Sequence, residues 1–114
     1  MRIQYLEVVT LEVDATCKAL STQHGADFAA PEPALGSARV ARLQDGGRIG
    51  VRPPLRGDEA PVVRPYLGVP DIGVAITAAE QSGAMIAMPA TEIPGQGTFA
   101  IYILGGVEFG LWET

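Results

Sequence analysis

Eight residues carry the chemistry open to this chain, and each lies on one side of an alternating strand pattern. In 5–8, Tyr5 and Glu7 oppose Leu6 and Val8. In 48–52, Arg48, Gly50 and Arg52 oppose Ile49 and Val51. In 64–69, Arg64, Tyr66 and Gly68 oppose Leu67 and Val69, and in 107–112, Glu108, Gly110 and Trp112 oppose Val107, Phe109 and Leu111. Three arginines suit an anion (carboxylate, phosphate or enolate), because the planar guanidinium matches paired oxygens. Tyr5, Tyr66 and Trp112 offer stacking surface, and Glu7 is the candidate general base. Two plainer readings compete. The polar faces are the solvated side of an antiparallel sheet, or the arginines pair with Glu7 and Glu108 and bind nothing.

Other constellations are thin. Cys17 falls on the apolar stripe of a helix and reads as core. No serine sits in a nucleophile elbow. Gly95-Gln96-Gly97 is not followed by a helix, so it reads as a strand-entry turn rather than a phosphate loop. The only histidine, His24, closes a helix, where its charge suits the dipole.

The elements that must position these residues come in two copies. Tyr5-Leu6-Glu7-Val8 returns as Tyr66-Leu67-Gly68-Val69, and His24-Gly25-Ala26 returns as Ser82-Gly83-Ala84. Gly46-Gly47 returns as Gly105-Gly106, and Ile49-Gly50-Val51 as Phe109-Gly110-Leu111. The offsets of 58 to 61 keep the order of features and vary only the loops. Such a repeat is one supersecondary unit used twice, and a pocket is expected where the copies meet. The spacing predicts a strand over 2–9, a helix over 13–23 stopped by Gly25, and strands at 27–30, 37–44 and 47–53 around Asp45-Gly46-Gly47. The second copy predicts a strand over 62–69, Asp71 as N-cap of a helix over 72–82, and strands at 84–88, 97–104 and 107–113. One domain spans 1–114, with module 1 at 1–53, a linker at 54–61 and module 2 at 62–114.

Composition narrows the partners. A net charge of −5 argues against nucleic acid, which needs a basic stripe. No apolar run approaches a bilayer span, and a lone cysteine forms no internal disulfide. A soluble, cytoplasmic protein is expected, with no membrane partner.

The order of elements resembles the vicinal oxygen chelate superfamily of glyoxalases, bleomycin-resistance proteins and extradiol dioxygenases. The stretches that carry the likeness are Tyr5-Leu6-Glu7-Val8-Val9-Thr10, Arg64-Pro65-Tyr66-Leu67-Gly68-Val69, and Gly106-Val107-Glu108-Phe109-Gly110-Leu111-Trp112-Glu113. The resemblance implies an α+β fold: two βαβββ modules forming curved, mostly antiparallel half-barrel sheets with helices outside. It implies that Tyr5, Glu7, Arg48, Arg52, Arg64, Tyr66, Glu108 and Trp112 line one shared concavity, and that the chain forms a homodimer. Superfamily members that hold a divalent cation do so through His, Glu or Gln on the first and fourth strands of each copy. Those positions here are Tyr5, Arg64, Gly50 or its neighbours, and Gly110, so no cofactor is expected; a metal held through Glu7 and Glu108 is the disfavoured exception. A triad of two histidines and a carboxylate is excluded within this chain, which has one histidine.

The leading reading is a metal-free, small-molecule-binding protein whose ligand is anionic or aromatic. The alternatives are a lyase or isomerase with Glu7 moving the proton and the arginines stabilising an enolate, and a domain whose sheet faces a partner protein.

Overall fold

Two helices and seven strands make up the computed structural model, which describes residues 1–114. In chain order they are β1 (Ile3–Val9), α1 (Val13–His24), a 3-10 turn (Pro33–Leu35), β2 (Arg39–Arg42), β3 (Arg48–Arg52), β4 (Val62–Gly68), α2 (Ile72–Gln81), β5 (Met85–Ile93), β6 (Gly97–Leu104) and β7 (Val107–Glu113). The hydrogen-bonded order is β2-β3-β1-β4-β7-β6-β5, an α+β arrangement whose mixed sheet does not close. β1 runs parallel to β3 and β4 parallel to β7, while β2–β3, β5–β6 and β6–β7 are antiparallel. The chain clusters into two compact units: Tyr5–Val63, and Met1–Gln4 together with Arg64–Thr114. Neither helix is long and apolar enough to cross a membrane.

In the unit Tyr5–Val63, α1 buries Cys17 and half-buries Val13 and Leu20, the stripe its spacing dictates. It ends at Gly25, whose left-handed φ of 69° lets its N–H reach the Ser21 carbonyl. Asp45 shapes the β2–β3 turn by accepting from the Gly47 N–H at 3.1 Å. One expected element does not form. Residues 27–30 are not a strand, and the first copy therefore has two strands after its helix where three were expected. Two ladder bonds survive there: Ala29 N–H to the Val40 carbonyl at 2.9 Å, and an isolated Glu32–Ala38 bridge. Pro31 and Pro33 remove two donors, so the ladder cannot continue. Arg39 pins the segment instead, donating to the Ala29 carbonyl at 3.0 Å and to Asp14 at 3.1 Å.

The second unit keeps the full plan. Asp71 accepts from the Val74 N–H at 3.1 Å as the N-cap of α2, and Glu113 accepts from the Ile72 N–H at 2.8 Å. Ile72, Ala100 and Leu111 form the core, with Leu67, Val69, Ala75, Ile76 and Tyr102 packed around them. β5 runs to Ile93, five residues past the expected end, and absorbs Pro89 through register shifts between Ile86 and Thr91. The unit includes the chain's first residues, and the Gly68 N–H donates to the Arg2 carbonyl at 3.0 Å.

Candidate functional site

On β1 the polar side is the enclosed one. Tyr5 and Glu7 are 2% and 9% exposed, whereas Leu6 and Val8 on the opposite face are only half-buried. Arg52, at 5%, is among the most buried charges in the chain. A solvated sheet face would show the reverse, so that plainer reading falls for β1; on β3 both faces are enclosed at the strand's end, with Val51 at 0% and Arg52 at 5%.

Within the unit Tyr5–Val63, four of the predicted residues meet. The Arg48 guanidinium lies over the Tyr5 ring, 5.4 Å from its centroid. Tyr5 itself lies across Gly50, where a Cβ would fall on the phenol hydroxyl. Burial, aided by the Glu7 charge, pushes the Tyr5 hydroxyl up to about 12, so it stays protonated. Arg52 is the hub. Its Nε donates to Glu7 Oε2 at 2.8 Å, and its Nη1 and Nη2 donate to Glu59 Oε1 and Oε2 at 2.9 and 2.8 Å. Nη1 also reaches the Pro53 carbonyl at 3.1 Å. Glu59, with its hydrogen bonds to Arg52 as the main cause, is lowered to about 2, and the Arg52 guanidinium is held still more firmly charged.

The other four gather in the second unit. Arg64 donates through Nε and Nη2 to one oxygen of Glu108, at 2.9 and 2.7 Å. The Arg64 side chain is 11% exposed and that of Glu108 is 43%. Tyr66 meets Trp112 edge-on at 5.5 Å and Phe99 at 6.2 Å, and the Trp112 indole N–H donates to the Gln96 carbonyl at 3.0 Å. Tyr66 lies across Gly110, its exact counterpart in β7, as Tyr5 lies across Gly50.

Those two glycines decide the fit of a divalent cation. They stand at the fourth-strand positions where the resemblance would set ligands, and a tyrosine ring covers each. Arg64 cannot serve as a ligand, since a guanidinium stays protonated. Glu7 and Glu108 each hold an arginine, and no three of His, Cys, Asp or Glu lie close enough together to share an ion. The residues present do not fit such a metal. His24 is exposed at the end of α1, and Cys17 is buried with its thiol pushed up by burial.

Sequence reasoning missed Glu59, which lies in the linker and not on a strand. A signal did exist. The predicted face held three arginines against two glutamates, and Glu59 supplies a further carboxylate. Beside it, Leu11 and residues 53–61 line an open hollow of about 650 Å³.

No protein-family model matches this chain, and no curated protein is similar to it in sequence. Solved structures are. A hypothetical protein from Bacillus halodurans C-125 superposes with a TM-score of 0.81 at 11% identity, covering 99% of this chain and 94% of that one. Streptomyces coelicolor methylmalonyl-CoA epimerase, in complex with 2-nitronate-propionyl-CoA, gives 0.73 at 16% identity over 100% and 97% of the two chains. A glyoxalase/bleomycin resistance protein/dioxygenase superfamily member from Vibrio splendidus 12B01 gives 0.70 at 13% identity over 99% and 98%. The fold is that of the vicinal oxygen chelate proteins. At these identities the likeness fixes architecture and leaves the chemistry to the site.

Proposed function

We propose that the protein binds a small anionic or aromatic molecule on its polar strand faces, without a resident divalent metal, and that Arg52 in one unit and Arg64 in the other are each able to recognise charge. The observation that carries this is the burial of Arg52 and Glu7 while Leu6 and Val8 stay half-buried. Burying ions is expensive, and a face needed only for packing would be cheaper to make apolar. The Arg64–Glu108 pair adds support, because its carboxylate is the exposed partner and can yield to an incoming anion. An epimerase with the same fold is found in complex with 2-nitronate-propionyl-CoA, an anionic ligand, which supports an anion here.

Thermal-shift screening with small acids and aromatics tests the proposal. A ligand at 100 times its dissociation constant adds about 2.7 kcal/mol to stability. Arg64→Met should keep the fold and lose the response. A variant that folds and responds unchanged removes Arg64 from the site, and silence across the screen in the wild type overturns the proposal.

An isomerase or lyase using Glu7 is the weaker reading. The Arg52 Nε bond engages one Glu7 oxygen, and taking up a proton there would break that ion pair. If Glu7→Gln leaves ligand binding intact, Glu7 is not part of recognition, and only an isotope-exchange assay on the bound acid can then give it a catalytic role.

A further inference from the structure

The linker from β3 to β4 is exposed along nearly its whole length, except at Pro54 and Glu59. Glu59 is its one inward-turned charge, with a side chain 12% exposed. It meets the Arg52 fork in parallel, Nη1 to Oε1 at 2.9 Å and Nη2 to Oε2 at 2.8 Å. This is the geometry by which arginine takes a free carboxylate. Arg52 has another counter-charge on its other edge, since Glu7 accepts from Nε at 2.8 Å. The cluster therefore holds two carboxylates around one guanidinium, and Glu59 is the one carried on a loop rather than a strand. The hollow of about 650 Å³ opens on that loop, with Glu59 in its wall, so there is room on the loop side of Glu59 for a small molecule to approach it.

We propose that Glu59 is a tethered stand-in for the ligand's carboxylate: it fills the Arg52 fork until a small carboxylic acid displaces it and releases residues 54–61. This rests on the anion-binding reading above and adds both the seat and its regulation. The exchange makes and breaks only hydrogen bonds, one carboxylate replacing another on the same two nitrogens. A competitor on a short tether acts at millimolar effective concentration or above. Free acids therefore bind the wild type weakly, and removing the tethered carboxylate exposes the seat.

Propionate and benzoate, titrated into wild type and Glu59→Ala and followed by backbone amide shifts, provide the test. The variant should bind at least about tenfold more tightly, and adding either acid should raise its melting temperature more than that of the wild type. Arg52→Met in the Glu59→Ala background should remove the gain. Glu59→Gln, which keeps an acceptor for the Leu55 N–H, serves if Glu59→Ala fails to fold. Equal affinities in wild type and variant, or a gain that survives loss of Arg52, would overturn the proposal. If affinities are equal and Arg64→Met abolishes binding, the ligand sits at Arg64 and the general binding reading stands. If no acid or screened compound binds any form, both readings fall.

Discussion

Gly50→Ala and Gly110→Ala should have unequal costs, and the inequality follows from which part of a tyrosine each new methyl meets. Neither glycine has a left-handed φ, so alanine is conformationally acceptable at both, and by restricting the unfolded chain it should stabilise by about 0.4–1 kcal/mol. Any loss is therefore steric. At Gly50 the added Cβ meets the far end of the Tyr5 ring: the hydroxyl, Cζ and Cε1. At Gly110 it meets the root of the Tyr66 ring (Cγ, Cδ2 and Cε2), which sits against Trp112 and Phe99. A ring tip can tilt; a ring root moves only with its backbone. Overpacking costs about 1–3 kcal/mol, so Gly50→Ala belongs near 1 and Gly110→Ala near 3 on that scale. With a urea m-value of about 1–3 kcal/mol/M, the latter lowers the unfolding midpoint by roughly 1–3 M. Combining each change with removal of the phenol hydroxyl sharpens the test. Tyr5→Phe should relieve part of the Gly50→Ala cost, because the hydroxyl is the nearest atom, and Tyr66→Phe should relieve none of the Gly110→Ala cost. Equal penalties at the two sites, or Gly110→Ala within about 0.5 kcal/mol of wild type, would refute the reasoning.

Acid should weaken the protein through Glu59. Its carboxyl is held at about 2 against an ordinary 4.5, so its stabilisation is complete above the unfolded value and is lost as pH falls from 4.5 towards 2. The shift corresponds to roughly 3 kcal/mol at neutral pH, and Glu59→Gln should flatten the stability curve across that window in urea titrations. Metal analysis after dialysis should find no stoichiometric zinc, nickel or iron, and one retained equivalent would contradict the fit of Tyr5 and Tyr66 over the two glycines. Sedimentation at micromolar concentration should show a homodimer, because β5 is a sheet-end strand with Met85 and Met88 exposed; a species of 11.9 kDa alone would count against it.

Alternation carried most of the legible information. Opposing Leu6 and Val8 to Tyr5 and Glu7 identified the two faces of β1, because pleating leaves no other arrangement. Glycine stops and the Asp71 cap marked the helices for similarly local reasons. Residues 27–30 misled because a repeat predicts equivalence, while the first copy follows them with two prolines, Pro31 and Pro33, where β5 of the second copy has to absorb only Pro89. The pairing of Tyr5 with Gly50 and Tyr66 with Gly110 was out of reach for a different reason. Each residue is visible in its own strand, but the contact depends on the register of strands about 45 residues apart. Glu59 needed still more, since nothing local marks which carboxylate of an exposed loop will turn inward.

The grouping of Met1–Gln4 with Arg64–Thr114 has a consequence for the order in which the chain can organise itself. The unit Tyr5–Val63 is continuous, so every contact within it is available once residue 63 has left the ribosome. The other unit is interrupted by all of that sequence. The Arg2 carbonyl must wait for the Gly68 N–H, and closing so long a loop is slow compared with pairing neighbours. During synthesis residues 1–4 are therefore held in reserve, made well before the partners they wait for.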